Sequence, residues 1–351
     1  MKQLRVAILG QGRSGFGIHY NQLRKDVERY KVVAVADLIP ERCREAAEES
    51  GAKVYSDYKD LITECHRDID LLVNALPSNL HVPVTIEAFK YGMNVVCEKP
   101  LARRVSDFDD MVKAGVDVGK TLLPFQNSRF QPAFQKILDV LSSGVLGELV
   151  HARISFSGFA RRWDWQCLRK LDGGNLLNTG PHPVDQAVVL FGKKKSNVFA
   201  RLVSKNPYGD AENFATVTLW APESPTVEVV VSSFMAYPQG EMYNLSCTTG
   251  GLSGSLTELK WRYFIPDLAP EHSRSEGWSD NRQYCNEKLT WVEESWKIGD
   301  DQPVFDIICA RFYDDAYGIL VEGKERLITL EQVRSQIEVM EEAHRQNPDL
   351  I

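Results

Sequence analysis

Three glycines near the amino terminus have a spacing that can hold a phosphate group. Gly10, Gly12 and Gly15 follow a short apolar run in the pattern G-x-G-x-x-G. The first glycine permits a tight turn, the second lets the backbone approach a pyrophosphate, and the third lets a helix pack closely on the strand. Amides at the start of that helix would bind the phosphates. The other loop residues predicted to line this site are Gln11, Arg13 and Ser14.

An acidic residue stands where a ribose-binding carboxylate is expected. The apolar run at residues 32–36 (VVAVA) ends in Asp37, which follows the glycine loop by about 20 residues, as the dinucleotide-binding pattern requires. A carboxylate there can accept hydrogen bonds from both ribose hydroxyls of NAD and repels the 2′-phosphate of NADP. We therefore predict an NAD site, with NADP disfavoured. A turn or helix-cap role for Asp37 stays open because Pro40 follows, and Arg42 lies close along the chain.

A lysine follows another predicted strand. Residues 94–97 (NVVC) have a buried-strand pattern and lead into Glu98, Lys99 and Pro100. Ligands of open α/β sheets bind beyond the carboxyl ends of the strands, so Glu98 and Lys99 are predicted beside the cofactor. An ammonium group in that position can hydrogen-bond a substrate hydroxyl and favour its alkoxide as a hydride leaves.

The strand before it also ends in a polar loop. Residues 70–75 (DLLVNA) are followed by Pro77, Asn79 and His81, which we predict to contact the cofactor from the same edge of the sheet. For His81 an alternative stays open, namely a residue at a helix start that packs against the loop.

These residues need a parallel sheet to bring them together. Apolar runs alternate with helical patterns through residue 125, which indicates βαβ units. Beyond residue 150, apolar and polar residues alternate in several segments, which predicts strands with one exposed face. The predicted fold is an α/β Rossmann domain over residues 1–125, followed by an α+β domain with a large, mostly antiparallel open sheet over residues 126–351. Residues 14–30 are predicted as the first helix, and residues 252–300 interrupt the strand pattern, as a lid, an interface or an insertion.

Composition excludes several classes of function. A net charge of -7 gives no electrostatic case for binding nucleic acid or an anionic membrane. No apolar run approaches the length of a transmembrane helix. The seven cysteines are scattered, without a C-x-x-C pair, which favours reduced thiols and a cytoplasmic location. No metal-ligand spacing is found, so no metal is predicted.

Several segments together resemble the Gfo/Idh/MocA oxidoreductase family along essentially the whole chain. They include AILGQGRSG, LPSNLHVPVTIEAFKYGMNVVCEKPL and the segment around His182, and E-K-P is the most telling short motif. The resemblance implies an NAD-dependent oxidoreductase that transfers a hydride between nicotinamide and a sugar, an inositol or a related polyol or keto compound. It also implies that Lys99 contacts the substrate and the nicotinamide. Two other functions remain open on this fold: a non-catalytic NAD-binding regulator, and a glycosidase that uses bound NAD transiently.

A second motif of the family carries the proposed acid/base. The family pattern D-x-G-x-H-x-x-D aligns with Asn178, Gly180, His182 and Asp185. Nearby prolines predict a helix start, and the positive end of a helix disfavours the imidazolium, so His182 would be neutral and able to accept a proton from an alcohol. We predict that His182 and Lys99 are the catalytic residues.

The motif departs from the family at its first position, because Asn178 replaces an acid. An amide can hydrogen-bond a substrate hydroxyl but cannot stabilise a protonated histidine by charge, so Asn178 is predicted to orient the substrate. Asp185 either supplies the missing charge in the substrate site or is buried behind the helix.

Further residues of the second domain are candidates for the substrate site. In the family fold Asn127 and Arg129 would face the cleft, and the alternative is a hydrogen-bonded hinge between domains. Trp163 lies among charged and aromatic residues at 161–165, which suit either a polyhydroxylated substrate or a subunit interface. Because the family associates through its open sheet, a homodimer or homotetramer is expected.

Overall fold

The computed structural model describes residues 2–237, 240–274, 277, 282–299 and 303–350. Within these residues, six strands form one sheet and eight form a second. The confirmed fold class is a Rossmann-like parallel sheet followed by a large, mostly antiparallel sheet.

The first sheet is parallel and is ordered β3-β2-β1-β4-β5-β6. Its strands are β1 Leu4–Leu9, β2 Tyr30–Ala36, β3 Lys53–Tyr55, β4 Leu71–Asn74, β5 Asn94–Cys97 and β6 Leu122–Pro124. The helices of this part are Pro40–Ser50, Tyr58–Cys65, His81–Lys90 and Val105–Asp117. The strand order reverses between β1 and β4, and such a switch point opens a crevice at the carboxyl ends of the strands. The glycine loop, the loop after β4 and the Lys99 segment all lie at that edge.

The first helix is shorter than predicted. It consists of a wide π-helical segment, Gly15–Tyr20, continued by Asn21–Leu23. The prediction of a helix through residue 30 is wrong because Tyr30 belongs to β2, where it pairs with Leu4. Its ring is buried and its hydroxyl donates to the carbonyl of Tyr313 at 2.6 Å.

The second sheet is ordered β14-β13-β12-β11-β7-β10-β9-β8 and is antiparallel except where β7 pairs with β10. Its strands are β7 Leu149–Ser157, β8 Asn197–Val203, β9 Phe214–Trp220, β10 Thr226–Ser232, β11 Tyr243–Cys247, β12 Gly250–Gly254, β13 Glu258–Phe264 and β14 Trp291–Lys297. The helices against its inner face include Pro132–Ser142, Pro181–Phe191 and Leu330–Arg345. The segment 252–300 therefore extends the sheet by further strands, which the sequence pattern did not predict.

One late helix packs away from this second sheet. Val304–Tyr317 contributes Ile308, Phe312 and Tyr313 to the apolar core that surrounds β1. The predicted second domain, residues 126–351, thus includes a helix whose apolar side belongs by packing to the first core. The last helix, Leu330–Arg345, lies between the two cores and contributes side chains to both.

Candidate functional site

The glycine loop has the geometry of a phosphate cradle. Gly10 has φ +82°, and a Cβ there would lie 2.6 Å from the carbonyl oxygen of Ala75. A Cβ on Gly15 would lie 1.7 Å from the carbonyl oxygen of Gly10, so no larger residue fits at either position. At Gly12 a Cβ would meet only the Arg42 guanidinium, at 3.9 Å. Space is therefore left above Gly12, where a pyrophosphate must approach the backbone.

Asp37 lies beside the glycine loop and is held by backbone amides. One carboxylate oxygen accepts a hydrogen bond from the amide of Gln11 at 2.7 Å, and the other accepts from the amide of Ile39 at 2.9 Å. Each oxygen keeps a second lone pair for a ribose hydroxyl. The side-chain oxygen of Gln11 is buried without a described hydrogen-bond partner. This combination of cradle, carboxylate and unpaired polar atom fits a dinucleotide.

Lys99 reaches from the first sheet to the second part of the chain. It joins Pro100 through a cis peptide bond, and its Nζ donates to the backbone carbonyl of Asn178 at 2.6 Å. Burial lowers the pKa of Lys99, Arg13 and Arg162 lower it further by their charge, and Glu98 opposes them. The amine of Lys99 is thus held between the first sheet and the segment around Asn178. Two cations, Arg13 and Arg162, and one anion, Glu98, act on its pKa.

Glu98 contacts both the backbone of Lys99 and the ring of His19. Its carboxylate lies 3.3 Å from Nε2 of His19 and accepts the backbone amide of Lys99 at 3.0 Å. Burial by itself would raise the pKa of Glu98, but the hydrogen bond with His19 and the neighbouring positive charges lower it to about 2. The other ring nitrogen of His19 lies 2.7 Å from the hydroxyl of Tyr313. Glu98 was predicted to contact the cofactor, whereas the structure turns its carboxylate inward.

His182 lies in the first turn of the helix Pro181–Phe191, as predicted. Its Nδ1 is 2.6 Å from the hydroxyl oxygen of Ser128. Burial, assisted by the charge of Lys99, lowers the pKa of His182 to about 3, so the imidazole is neutral near physiological pH. If Nδ1 donates to Ser128, Nε2 keeps a lone pair that can accept a proton. Sequence reasoning missed Ser128, although it stands between the two singled-out residues Asn127 and Arg129.

Arg129 and Asp185 form a buried ion pair with each other. The guanidinium donates to both carboxylate oxygens at 2.7 and 2.8 Å, and the side chains are only 5% and 1% exposed. A further Arg129 nitrogen donates to Gln332 of the last helix at 3.0 Å. Both residues were predicted to bind substrate. The geometry instead favours the two alternatives left open, a hinge for Arg129 and burial behind the helix for Asp185.

The remaining candidates divide between the cleft and its surroundings. Asn127 is buried, with a side-chain oxygen that has no described partner. The amide of Asn178 donates to the backbone carbonyl of Gln166 at 3.0 Å, so it is the backbone of Asn178 that contacts Lys99. Trp163 is 80% exposed.

The loop after β4 is stabilised by His81. Its ring is buried, with Nδ1 2.7 Å from the carbonyl of Pro100 and Nε2 2.8 Å from the carbonyl of Leu76. The structure therefore supports the packing alternative for His81. Pro77 and Asn79 are exposed at this edge of the sheet.

The described residues contain neither a cluster of three or more metal-ligating side chains nor a helix long and apolar enough to cross a membrane. The fold and the site thus define a dinucleotide-binding protein with an amine and an imidazole at the junction of its two parts.

Family models match both parts of the chain. Residues 4–125 match the model of an oxidoreductase family with an NAD-binding Rossmann fold, and residues 134–253 match the carboxyl-terminal domain of the same family. The chain belongs to the Gfo/Idh/MocA family of oxidoreductases.

Individual relatives agree with this assignment. An inositol 2-dehydrogenase of Rubrobacter xylanophilus is 29% identical over 59% of this chain and 57% of its own length. A 2,7-anhydro-N-acetylneuraminate hydratase of Mediterraneibacter gnavus is 29% identical over 55% of this chain and 50% of its own length. An oxidoreductase of Schizosaccharomyces pombe is 27% identical over 71% of this chain and 70% of its own.

Solved structures share the fold. The WlbA dehydrogenase of Bordetella pertussis, in complex with NADH and UDP-GlcNAcA, superposes with a TM-score of 0.76 and is 20% identical. The superposition covers 99% of this chain and 96% of that one.

Proposed function

We propose that this protein is an NAD-dependent dehydrogenase that oxidises a hydroxyl group of a sugar, an inositol or a related polyhydroxylated compound, or reduces the corresponding ketone. The observation that carries the proposal is the contact between Lys99 Nζ and the carbonyl of Asn178, at 2.6 Å. Asn178 stands four residues before His182 in the sequence, so this contact brings together an amine and an imidazole from different parts of the chain. The inositol 2-dehydrogenases among the relatives support the choice of substrate class.

His182 and Lys99 would have different roles in the reaction. The nicotinamide of bound NAD would accept the hydride from the carbinol carbon. His182, neutral and held by Ser128, would accept the hydroxyl proton, because a buried imidazole with a lowered pKa has its lone pair available. The Lys99 ammonium would stabilise the negative charge that develops on the substrate oxygen.

We further propose that NAD is preferred to NADP. Asp37 is fixed by two backbone amides at the place where a ribose would lie, and its charge would repel a 2′-phosphate. The free thiols of the cysteines fit a reducing, cytoplasmic location.

A substitution experiment tests the catalytic assignment. Lys99→Ala and His182→Ala should each lower kcat by about 10²-fold or more, since general acid–base catalysis contributes about 10²–10⁴-fold. Turnover is followed as NADH absorbance over a panel of polyols and keto sugars. Lys90→Ala and His272→Ala are matched controls, because Lys90 and the His272 side chain are exposed to solvent. Near-normal turnover by both site variants, with folding intact, would show that the assignment is wrong.

A reaction without net redox change is a second candidate, favoured by the hydratase among the relatives. Such an enzyme, including an NAD-dependent glycosidase, would convert its substrate while the NADH absorbance stays constant. Product analysis by chromatography in the same assays distinguishes the two. Tight NAD binding without conversion of any compound would instead indicate a regulator.

A further inference from the structure

The acids near Lys99 are already engaged by protein groups. Glu98 is shared between His19 and the backbone amide of Lys99. Asp185, the acid at the end of the family motif, is paired with Arg129. The first acid of that motif is replaced by Asn178, which carries no charge. Glu212, which lines a small cavity together with Arg162, accepts the backbone amide of Leu176 at 2.9 Å. Each of these carboxylates is therefore already held by a protein group.

Arg162 is a further cation beside this site. It lines a small cavity together with Gln166, and the backbone carbonyl of Gln166 accepts the Asn178 amide at 3.0 Å. Since the Asn178 carbonyl accepts from Lys99, a chain of contacts joins this cavity to the amine of Lys99. Arg162 also lies close enough for its charge to reduce the pKa of Lys99.

The guanidinium of Arg162 can exchange its present carboxylate partner for a ligand anion. Its partner is Asp164, at 2.6 Å, and both side chains are more than two-fifths exposed, at 43% and 45%. An exposed ion pair of this kind contributes little to stability, so a ligand anion can replace Asp164 at small cost. Arg13, the other cation near Lys99, belongs to the glycine loop and would be neutralised by the cofactor's pyrophosphate.

We propose that the substrate is an anionic polyhydroxylated compound whose carboxylate or phosphate group is bound by Arg162, while the hydroxyl to be oxidised lies between Lys99 and His182. The planar guanidinium suits such a group because it can donate two parallel hydrogen bonds to its oxygens. The inference rests on the proposed function and narrows it to sugar acids or sugar phosphates.

The neighbouring arginine provides a matched control. Arg161 donates to the hydroxyl of Tyr208 at 2.9 Å and lies over the ring of Tyr208, 5.3 Å from its centroid. It is exposed on the same segment, but Tyr208 engages its guanidinium. Arg161→Gln therefore removes the same charge from the same segment without removing the contact proposed for Arg162.

The experiment compares neutral and anionic forms of the same compounds. The panel pairs glucose, galactose and mannose with their uronic acids, and the same hexoses and inositol with their monophosphates. In pairs that are turned over with NAD, kcat/KM should be at least about tenfold higher for the anionic member, since a hydrogen-bonded charge pair corresponds to an affinity gain of about 10- to 100-fold. Arg162→Gln should abolish this preference by raising KM for the anionic member, while Arg161→Gln keeps it. Higher values for uronic acids or for phosphates identify the anionic group.

Calorimetric titration of the same compounds into the NADH-loaded protein gives a readout independent of turnover. Binding of an anionic compound that is lost in Arg162→Gln supports the inference even if no hydride is transferred, in which case only the proposed function fails. Turnover of neutral compounds with equal or greater kcat/KM overturns the inference and leaves the proposed function standing. Equal effects of the two arginine substitutions, or binding of none of the anionic compounds, also overturn it.

Discussion

His182 and Lys99 influence each other because both are partly buried at one junction. Burial lowers the pKa of each, and the charge of Lys99 lowers the pKa of His182 further. With a pKa of about 3, His182 is protonated only in strongly acidic solution. The base form is therefore present without an acidic partner such as the one the family motif carries where this chain has Asn178.

The pH dependence of oxidation follows from these directions. A histidine with an ordinary pKa of about 6.5 would give kcat/KM an acidic limb near that pH. Here the lone pair of His182 is available at all pH values well above 3, so kcat/KM should be flat on the acid side down to about pH 5. On the alkaline side it should fall before pH 10.5, because the pKa of Lys99 is lowered and the ammonium form is lost earlier. The profile is measured from pH 5 to 10, and an acidic limb with a midpoint near 6.5 would contradict the prediction.

Asp37 should determine the choice of cofactor. Asp37→Ser should lower kcat/KM with NAD about tenfold or more and raise it with NADP, since the repulsion of a 2′-phosphate is removed. Asp37→Asn is the informative companion, because it removes the charge but keeps an oxygen for the amide of Gln11 or Ile39. Initial rates with both cofactors test this, and equal turnover of NAD and NADP by the unmodified protein would contradict it.

At the scale of elements, the Arg129–Asp185 pair fastens the segment Asn127–Phe130 to the helix that carries His182. The segment also holds Ser128, the hydrogen-bond partner of His182. The backbone carbonyl of Ser128 accepts from Gln186 of that same helix at 3.2 Å. The two contacts fix the position of the imidazole relative to the first sheet.

Removal of one partner of this pair should lower the stability of the protein. Asp185→Ala leaves Arg129 buried and unpaired, which should destabilise the protein by about 3–5 kcal/mol. Asp109→Ala is the matched control, because Asp109 forms a similar pair with Arg334, but with the two side chains 47% and 46% exposed, and exposed pairs are worth about 0–1 kcal/mol. Thermal unfolding compares the two variants. Equal shifts in Tm would show that the buried pair does not contribute as proposed.

The elements of the first sheet could be predicted from local sequence, but the direction of several polar side chains could not. The runs that end in Asp37 and Glu98 identify strands and therefore the edge at which ligands bind. Whether Glu98 turns toward a ligand or inward depends on His19 and on Tyr313, which is far away in the sequence.

The same limit applies to the second sheet. In β13 and β14 the exposed positions are charged, aromatic or a serine, and Arg262 lies opposite Glu293 across the two strands. Because these residues are polar and the segment between the strands is long, the pattern does not separate a strand from a loop. Only the pairing between the two strands shows that they extend the sheet.

At the scale of the whole molecule, the outer face of the second sheet is a broad surface without a covering helix among the described residues. It includes exposed apolar side chains such as Phe199, Trp220 and Trp291. Such a surface is typical of an interface, and we propose that a second copy of the chain covers it.

A charge on an interior strand of this face should prevent association. Val230 lies on the interior strand β10, between the inward-facing Val229 and Val231, so its side chain points to the outer face. Val230→Lys should convert a dimer or tetramer into a monomer in sedimentation velocity experiments. Val116→Lys, at a 70% exposed position on the helix Val105–Asp117, should leave the assembly unchanged. A wild-type protein that sediments as a monomer would contradict the proposal.

The packing of the helix Val304–Tyr317 against β1 has a consequence for biosynthesis. The strands around the glycine loop leave the ribosome about 300 residues before Phe312 and Tyr313, which complete their core. Tyr313 also contacts His19 of the first helical segment. A nascent chain that ends before this helix exposes an unfinished apolar surface. The nucleotide-binding half can therefore reach its native state only after translation has passed through the whole second sheet.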